Sequence, residues 1–229
     1  MGNHQSNQDG QKANQVSAVR RFGPLIVGIL LCALSFLFDQ AVIDWVKAHD
    51  WKTFKLFAGF LSFWGDWPKL MMFSCLGLAV AWIARSRVVG KVVLCMMIAG
   101  TVSGALVSSV RVLSGRARPN NVESMQEWNG LWRGHQFLMF KNSYHSFPSG
   151  HTGAAFAFFG VLFFANRQRG GWALLAAAAI AWSRIYLNVH HLSDVVAGAL
   201  IGLLTAAIVW DRLGPPIERY LVYFFVPRK

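Results

Sequence analysis

Long apolar runs separated by short polar connections make up most of this 229-residue chain. A helix that crosses a bilayer needs about 20 mostly apolar residues. Six runs predict such helices, at residues 24–46, 69–84, 91–113, 149 or 150 to 165, 171–186 and 192–210. Residues 51–64 are apolar but too few to cross, which predicts either an amphipathic interfacial helix or a segment that covers a loop. The pattern predicts an all-α, polytopic membrane protein, built as a six-transmembrane-helix bundle.

The composition supports a membrane location. Charged residues make up 14% and hydrophobic residues 55% of the chain, and the mean hydropathy is +0.39. A soluble domain carries roughly 25% charged residues, so this chain has too little polar surface for a water-soluble globule. The net charge of +12 could suggest a nucleic-acid partner. Because no basic stripe lies on an otherwise soluble face, we attribute the charge to basic flanks of membrane spans and expect no nucleic acid to bind.

The positions of the basic residues predict an orientation. Residues 1–22 are polar, and we expect them to form a disordered cytoplasmic tail ahead of one membrane domain at 23–229. With the N-terminus inside, twelve of the 22 Lys and Arg residues lie in inner segments. That majority is small, but two of the inner connections are short and dense in basic residues. We therefore expect both termini to be cytoplasmic.

Ionisable groups collect at the outer ends of four predicted helices. Membrane spans rarely contain such groups without a functional reason. They are Arg111 and Arg118 at the end of the third span, His151 directly after Ser149 and Gly150 at the start of the fourth, Arg184 at the end of the fifth, and His190 and Asp194 at the start of the sixth. In the predicted topology all four groups lie at one face of the membrane.

The arginines and the start of the fourth helix suit a bound phosphate. Arg111 and Arg118 are seven residues apart and share a face if their helix persists until Pro119. Two guanidiniums can bind a dianionic phosphate bidentately. The start of a helix offers free N–H groups, which Gly150 lets a phosphate approach closely, and Ser149 adds a hydroxyl and a candidate N-cap.

The histidines supply the reacting groups. His190 and Asp194 are one helical turn apart, so the carboxylate can fix the tautomer of the imidazole and leave its other nitrogen free to attack. His151 brings a second imidazole on another helix. One histidine as nucleophile and one as acid–base catalyst suffice for phosphoryl transfer, and the arginines supply the electrostatic stabilisation.

Together these residues resemble the type 2 phosphatidic acid phosphatase superfamily. Its pattern is Lys, six residues and Arg-Pro; then Pro-Ser-Gly-His; then Ser-Arg, five residues, His, three residues and Asp. The second block is intact from Pro148 to His151, and the third is intact from Ser183 to Asp194. The first block keeps Arg118 before proline at the family's spacing, but Arg111 stands where the family has Lys.

The resemblance implies a role for each residue. His190 would be the nucleophile that forms a phosphohistidine, Asp194 would orient it, and His151 would protonate the leaving group and then activate water. The implied phosphate-binding residues are Arg111, Arg118, Ser149, Gly150 and Arg184. The resemblance implies no metal or other cofactor, and a cluster with one carboxylate would hold Mg²⁺ poorly.

The implied function is metal-independent hydrolysis of a phosphate monoester or diphosphate on a membrane lipid. Polyprenyl diphosphate, lipid A phosphate, phosphatidylglycerophosphate and phosphatidate are the candidate substrates. The compact chain favours a bacterial inner-membrane enzyme with a periplasmic active site. Three alternatives stay open: a lipid phosphotransferase that uses the same intermediate, a non-catalytic lipid-binding relative, and a transporter, which predicts ionisable groups at mid-span rather than at helix ends.

Other polar residues receive simpler interpretations. We expect His49, His135 and His145 to be interfacial, and Arg116 and Arg133 to be solvated loop charges. The Gly100…Gly104 and Gly198…Gly202 pairs have the spacing of close helix packing, which would bring the third and sixth spans together. Aromatic residues at 128–140 predict either an interfacial belt or a lid over lipid tails.

Overall fold

The computed structural model describes residues 23–121 and 128–225, so the predicted tail at 1–22 lies outside the described residues. It is helical apart from connections and one small hairpin. The helices are α1 (Gly23–Ala48), α2 (Lys52–Trp64), α3 (Trp67–Ile83), α4 (Arg87–Ser114), α5 (Gly150–Ala165), α6 (Arg167–Tyr186), α7 (Leu192–Ile208) and α8 (Gly214–Phe225). A 3₁₀ turn at Phe36–Phe38 interrupts α1, a π-helical turn at Val209–Leu213 joins α7 to α8, and an antiparallel hairpin pairs β1 (Trp132–Arg133) with β2 (Gln136–Phe137).

Three of the described helices are long and apolar enough to cross a membrane: α1, α4 and the continuous helix Leu192–Tyr223 formed by α7 and α8. The helices α3 and α5 are apolar but shorter. Many large apolar side chains are exposed around the bundle, among them Leu37, Trp82 and Trp172. The chain is therefore an integral membrane protein, while the count of six spans stays a prediction.

Polar caps place the starts of two helices earlier than their apolar content predicts. The Ser86 hydroxyl accepts from the backbone N–H of Val89, and α4 begins at residue 87 instead of 91. The Asn166 side chain accepts from the backbone N–H of Arg169, so α6 begins at residue 167 instead of 171. Such caps satisfy N–H groups that have no partner within the helix. The other boundaries lie within two residues of the prediction, except that the sixth span does not end near residue 210 but continues through the π-helical turn into α8.

The segment at 51–64 forms the helix α2, which exposes Phe57, Phe60 and Phe63 and buries Ala58 and Ser62. A helix with apolar residues on its exposed side fits contact with lipid. Its position at the membrane interface stays a prediction.

The helix α5 lies at the centre of the bundle and packs against α4, α6 and α7. Small residues allow this close packing. A Cβ added to Gly198 would lie 2.7 Å from the carbonyl oxygen of Ser149, and one added to Gly202 would lie 2.5 Å from that of Gly153. The third and sixth predicted spans do pack against each other. The Gly198…Gly202 pair, however, contacts the fourth span rather than the third. A Cβ added to Gly104 would meet nothing within 4 Å.

This packing predicts the effect of Gly202→Ala. The added methyl group would meet backbone of α5, which cannot move aside like a flexible side chain. Overpacking of this kind costs about 1–3 kcal/mol, so the melting temperature in detergent should fall. Gly104→Ala is the matched control, because it adds the same methyl group to open space. Equal melting temperatures for the two variants would contradict the packing described.

Candidate active site

The helix α4 ends at a glycine that no other residue can replace without strain. Gly115 has a φ of +56°, in the left-handed region. A Cβ on Gly115 would also lie 2.0 Å from the carbonyl oxygen of Gly130. The helix stops at Ser114, and the connection to α5 begins there.

This early end corrects one expectation from the sequence. Arg111 is on α4, but Arg118 lies on the connection after it, so the two do not share a helix face and Pro119 does not end the helix. The backbone N–H of Arg118 donates to the carbonyl of Ser143 at 2.8 Å, which fixes Arg118 against the far side of the same connection. Arg111 and Arg118 are nevertheless close enough for their charges to interact.

Asp194 is fully buried near the start of α7 and has the most polar contacts in the site. Its Oδ1 accepts from Arg116 Nη1 at 2.7 Å. Its Oδ2 accepts from the Ser146 hydroxyl at 2.5 Å and from the backbone N–H of His191 at 2.8 Å. The carboxylate therefore joins α7 to the connection between α4 and α5.

His190 is 2% exposed, directly before α7. Its Nδ1 lies 3.5 Å from Asp194 Oδ2, which is an ion-pair distance, whereas His191 Nδ1 lies closer, at 3.2 Å. Burial is the largest cause that lowers the pKa of His190, and the charges of Arg184 and Arg118 act in the same direction. Asp194 opposes them, and together these effects lower the pKa of His190 to about 4. At neutral pH the imidazole is therefore uncharged, which is the form that can act as a nucleophile.

Arg116 is buried, and the interpretation of it as a solvated loop charge is wrong. Its Nη2 donates to Asp39 Oδ2 at 2.7 Å, and its Nη1 donates to the Ser193 hydroxyl at 2.7 Å. The guanidinium carbon lies 5.2 Å from the ring centre of Phe36 and 4.9 Å from that of Trp128. Arg116 thus links α1 to the start of α7 through two carboxylates.

The sequence did contain a signal for this pair. Asp39 lies inside the first predicted span, where an ionisable residue implies a buried partner. Asp39 also accepts from both the backbone N–H and the hydroxyl of Ser193, at 2.8 Å and 2.6 Å. No local pattern indicates that Arg116, 77 residues later, is that partner.

The start of α5 is arranged around Ser149 and Gly150. Ser149 occupies the N-cap position, but its side chain caps no N–H of the helix. Its hydroxyl oxygen accepts from Thr152 Oγ1 at 3.0 Å, and its backbone N–H donates to the carbonyl of Asp194 at 2.9 Å. A Cβ on Gly150 would lie 3.0 Å from Arg111 Nη1, so the guanidinium rests directly on the helix start.

His151 and Arg184 have partners outside the predicted motifs. His151 Nε2 lies 3.4 Å from Asp66 Oδ1, and its side chain is 24% exposed. Arg184 Nη1 donates to the hydroxyl of Ser62 on α2. Arg184 and His190 are both close enough to His151 to interact with it electrostatically. The eight predicted site residues thus gather at one end of the bundle.

A pocket of about 430 Å³ opens beside these groups. Charged residues line one end of the pocket, and small residues of α4 and α5 line the rest. The lining residues are Asp66, Trp67, Thr101, Gly104, Ala105, Ser108, Arg111, Gly150, His151 and Ala154. The pocket therefore has a polar end at Asp66, Arg111 and His151 and a less polar wall, while His190, Arg118 and Arg184 are not among its lining residues.

His145 is buried rather than interfacial, which corrects its sequence interpretation. Burial and the nearby charge of Arg111 lower its pKa, while a hydrogen bond to the backbone of Leu138 opposes them. Its Nε2 has no hydrogen-bond partner among the residues that the structure describes. The imidazole lies close enough to Arg111 and Arg118 to interact with their charges.

A family model described as the PAP2 superfamily matches residues 89–214, more than half of the chain. The chain belongs to the PAP2 superfamily. The match covers almost all of α4 and the whole of α5, α6 and α7, which carry or flank every predicted site residue. The resemblance noted from the three motifs is confirmed.

Several curated relatives are similar to this PAP2 chain. Bacitracin transport permease protein BcrC of Bacillus licheniformis is 34% identical over 146 residues, which are 62% of this chain and 65% of the relative. Lipid phosphate phosphatase 1 of Arabidopsis thaliana is 30% identical over 54% of this chain and 45% of its own length. Lipid A 1-phosphatase of Rhizobium johnstonii is 34% identical over 49% of this chain and 45% of its own length. The chain thus spans about half to two thirds of the length of these relatives.

Two solved structures share the fold. The PAP2-type phosphatidylglycerolphosphate phosphatase of Bacillus subtilis has a TM-score of 0.63 at 19% identity, covering 88% of this chain and 99% of that one. Aquifex aeolicus LpxE has a TM-score of 0.55 at 24% identity, covering 76% of this chain and 95% of that one. At these identities the likeness establishes the helical membrane fold of the PAP2 chain.

Arg116→Gln should strongly destabilise this PAP2 protein. The change leaves Asp39 and Asp194 buried without a positive partner, and breaking a buried ion pair costs about 3–5 kcal/mol. The melting temperature in detergent should fall sharply or the fold be lost. Lys55→Gln is the control, because it removes an exposed ion pair of the same 2.7 Å length, worth about 0–1 kcal/mol. Similar losses in both variants would contradict the role given to Arg116.

The titration of His190 gives a second prediction. Its ring should change protonation well below the ordinary histidine value of about 6.5, because burial disfavours the imidazolium. The measurement is a pH series of histidine ring NMR signals in detergent, with the His190 signal identified by its loss in His190→Asn. A midpoint at or above the ordinary value would show that the imidazole is solvated or held charged.

Proposed function

We propose that this PAP2 protein hydrolyses the phosphate monoester or diphosphate of a membrane lipid through a phosphohistidine on His190. The observation that carries the proposal is the convergence of His151, His190 and Asp194 at one end of an apolar bundle, beside three arginines. The names of relatives, including lipid phosphate phosphatase 1 and lipid A 1-phosphatase, support the same reaction class.

In the first step, the neutral His190 attacks phosphorus through Nε2, because Nδ1 faces Asp194. The phosphorus–oxygen bond to the leaving group breaks, and His151 donates a proton to the departing oxygen. Asp194 stabilises the positive charge that develops on the His190 ring. The products are the dephosphorylated lipid, or the lipid monophosphate, and a phosphorylated enzyme.

In the second step, the now neutral His151 accepts a proton from water, and the water oxygen attacks phosphorus. The phosphorus–nitrogen bond breaks, inorganic phosphate leaves, and His190 returns to its neutral form. His151 regains the proton that it donated in the first step, so each turnover consumes one water molecule. General acid–base catalysis of this kind contributes about 10²–10⁴-fold.

The arginines suit the charge of the transferred group. The Nε atoms of Arg111, Arg118 and Arg184 are buried and have no hydrogen-bond partner in the described structure. Buried donors of this type are costly unless a ligand satisfies them, and phosphate oxygens are strong acceptors. We assign these three residues, with Ser149 and Gly150, to the phosphate oxygens. The hydroxyl of Ser149 accepts from Thr152, so its own proton is available to donate.

A lipid substrate fits the position of the pocket. Its charged end is at the helix termini, and its wall of small residues continues along α4 in the direction of the membrane interior. The opposite end of the bundle carries basic residues in its short connections and in the first turns of the helices that follow them, including Arg85, Arg87, Arg167 and Arg169. By the positive-inside rule that end is cytoplasmic. We therefore place the site on the outer face of the membrane, and we propose that this membrane is a bacterial inner membrane with the site on its periplasmic side.

The proposed roles predict that His190→Ala and His151→Ala each reduce phosphate release at least 10²-fold while the protein still folds. The assay uses purified protein in detergent with a panel of lipid phosphates, in the presence of EDTA. His135→Ala, which removes an exposed imidazole from the outer connection, is the control and should retain activity. Near-normal rates in either active-site variant would contradict the assigned roles.

The same samples distinguish hydrolysis from phosphotransfer. Acid-quenched enzyme given labelled lipid phosphate should carry the label on His190, and label on Ser149 would require another nucleophile. Inorganic phosphate should form with no acceptor lipid present. Labelled enzyme that releases phosphate only when a second lipid is added would instead identify a phosphotransferase.

A further inference from the structure

Asp66 is a carboxylate of the pocket that none of the three motifs contains. It precedes α3, and its Oδ1 accepts from the backbone N–H of Trp67 at 3.0 Å as a helix cap. The same Oδ1 lies 3.4 Å from His151 Nε2, and both residues line the pocket. Asp66 lies outside residues 89–214, the part of the chain that matches the family model.

The groups around His151 are mostly positive, and Asp66 opposes their effect on the imidazole. The groups that face this imidazole are Arg184 from α6, Arg111 from α4, His190 before α7, and Asp66 before α3. The two arginines are positive, and each disfavours a second positive charge nearby. Asp66 is the one negative group in this set, and Lys69 lies behind it, 3.6 Å from its other oxygen. Burial and the two arginines disfavour a protonated His151, and Asp66 is the group in this set that opposes them.

We propose that Asp66 is a positioning residue that keeps His151 Nε2 protonated and directed into the pocket until the leaving group takes that proton. The inference rests on the proposed phosphatase reaction. The proton passes from Nε2 to the leaving oxygen, and Nε2 then has the lone pair that accepts a proton from water. At 3.4 Å, the distance from Asp66 Oδ1 to His151 Nε2 is longer than a usual N–H···O hydrogen bond. The proton on Nε2 is therefore free to pass to the leaving oxygen.

A merely structural role for Asp66 can be separated from this one. Asn caps helices about as well as Asp, so Asp66→Asn keeps the cap on Trp67 and removes only the charge. Asp50→Asn is the matched control, because Asp50 is another exposed carboxylate paired with a lysine, at 2.7 Å from Lys55. Asp66→Glu keeps the charge and tests for rescue.

The experiment compares two leaving groups. An alkyl lipid phosphate needs a proton on its leaving oxygen, whereas 4-nitrophenyl phosphate releases a stable phenolate without one. For Asp66→Asn, kcat on the lipid phosphate should fall about 10–100-fold, part of the usual contribution of general acid catalysis. On 4-nitrophenyl phosphate it should fall less than about 3-fold. The alkaline limb of the kcat profile should move to lower pH, since the imidazolium has lost its counter-charge.

The possible outcomes are distinct. Equal losses on both substrates, or no loss on either, would overturn the role of Asp66, as would a failure of Asp66→Glu to recover activity on the lipid. If Asp66→Asn does not fold, Asp66→Ser retains a capping oxygen without charge and is measured in the same way. Loss of activity in His190→Ala, measured alongside, tests the phosphatase reaction itself. A wild-type protein without turnover would instead refute the proposed function.

Discussion

The buried carboxylate of Asp194 is the constraint on which the site depends. A lone carboxylate inside an apolar bundle is unstable by several kcal/mol unless it is paired and hydrogen-bonded. Here Arg116, Ser146 and the backbone of His191 satisfy it. Each of these partners lies at a defined place in the chain, so pairing the carboxylate also fixes the connection between α4 and α5 against α7. His190 is held beside it as a consequence.

Around that neutralised centre the site keeps an excess of positive charge. Arg111, Arg118 and Arg184 are close enough to repel one another. Asp66, ahead of α3, opposes the charge of Arg184, and Asp194 opposes that of Arg118. Like charges in a medium of low dielectric interact more strongly than in water. A phosphate bound here as proposed would relieve this repulsion, and its binding would therefore also stabilise the folded protein. The same arrangement lets the arginines stabilise the negative charge of a phosphoryl group in transfer.

Sequence reasoning succeeded where chemistry and spacing are local. The apolar runs gave the helices, and three short motifs identified the residues that meet at one end of the bundle. It failed where a distant contact decides the local structure. Gly115 ends α4 in a left-handed conformation and packs against the backbone of Gly130, so Arg118 lies beyond the end of the helix. Arg116 can be buried because its guanidinium pairs with the carboxylate of Asp39 on α1. The glycine spacing on α7 predicted close packing but not that α5 is the partner.

The helices before the matched segment have a common role that the motifs do not reveal. Asp39 of α1 accepts from Arg116, Ser62 of α2 accepts from Arg184, and Asp66 ahead of α3 faces His151. Each of the three supplies an oxygen to a cationic or protonatable group of the site. Residues 89–214 thus carry the groups proposed to react and to bind phosphate, while α1 to α3 and their connections carry acceptors that make so much buried positive charge tolerable. If α1 to α3 shifted relative to the rest, those cations would lose their partners, so the position of these helices is set by electrostatics as well as by packing.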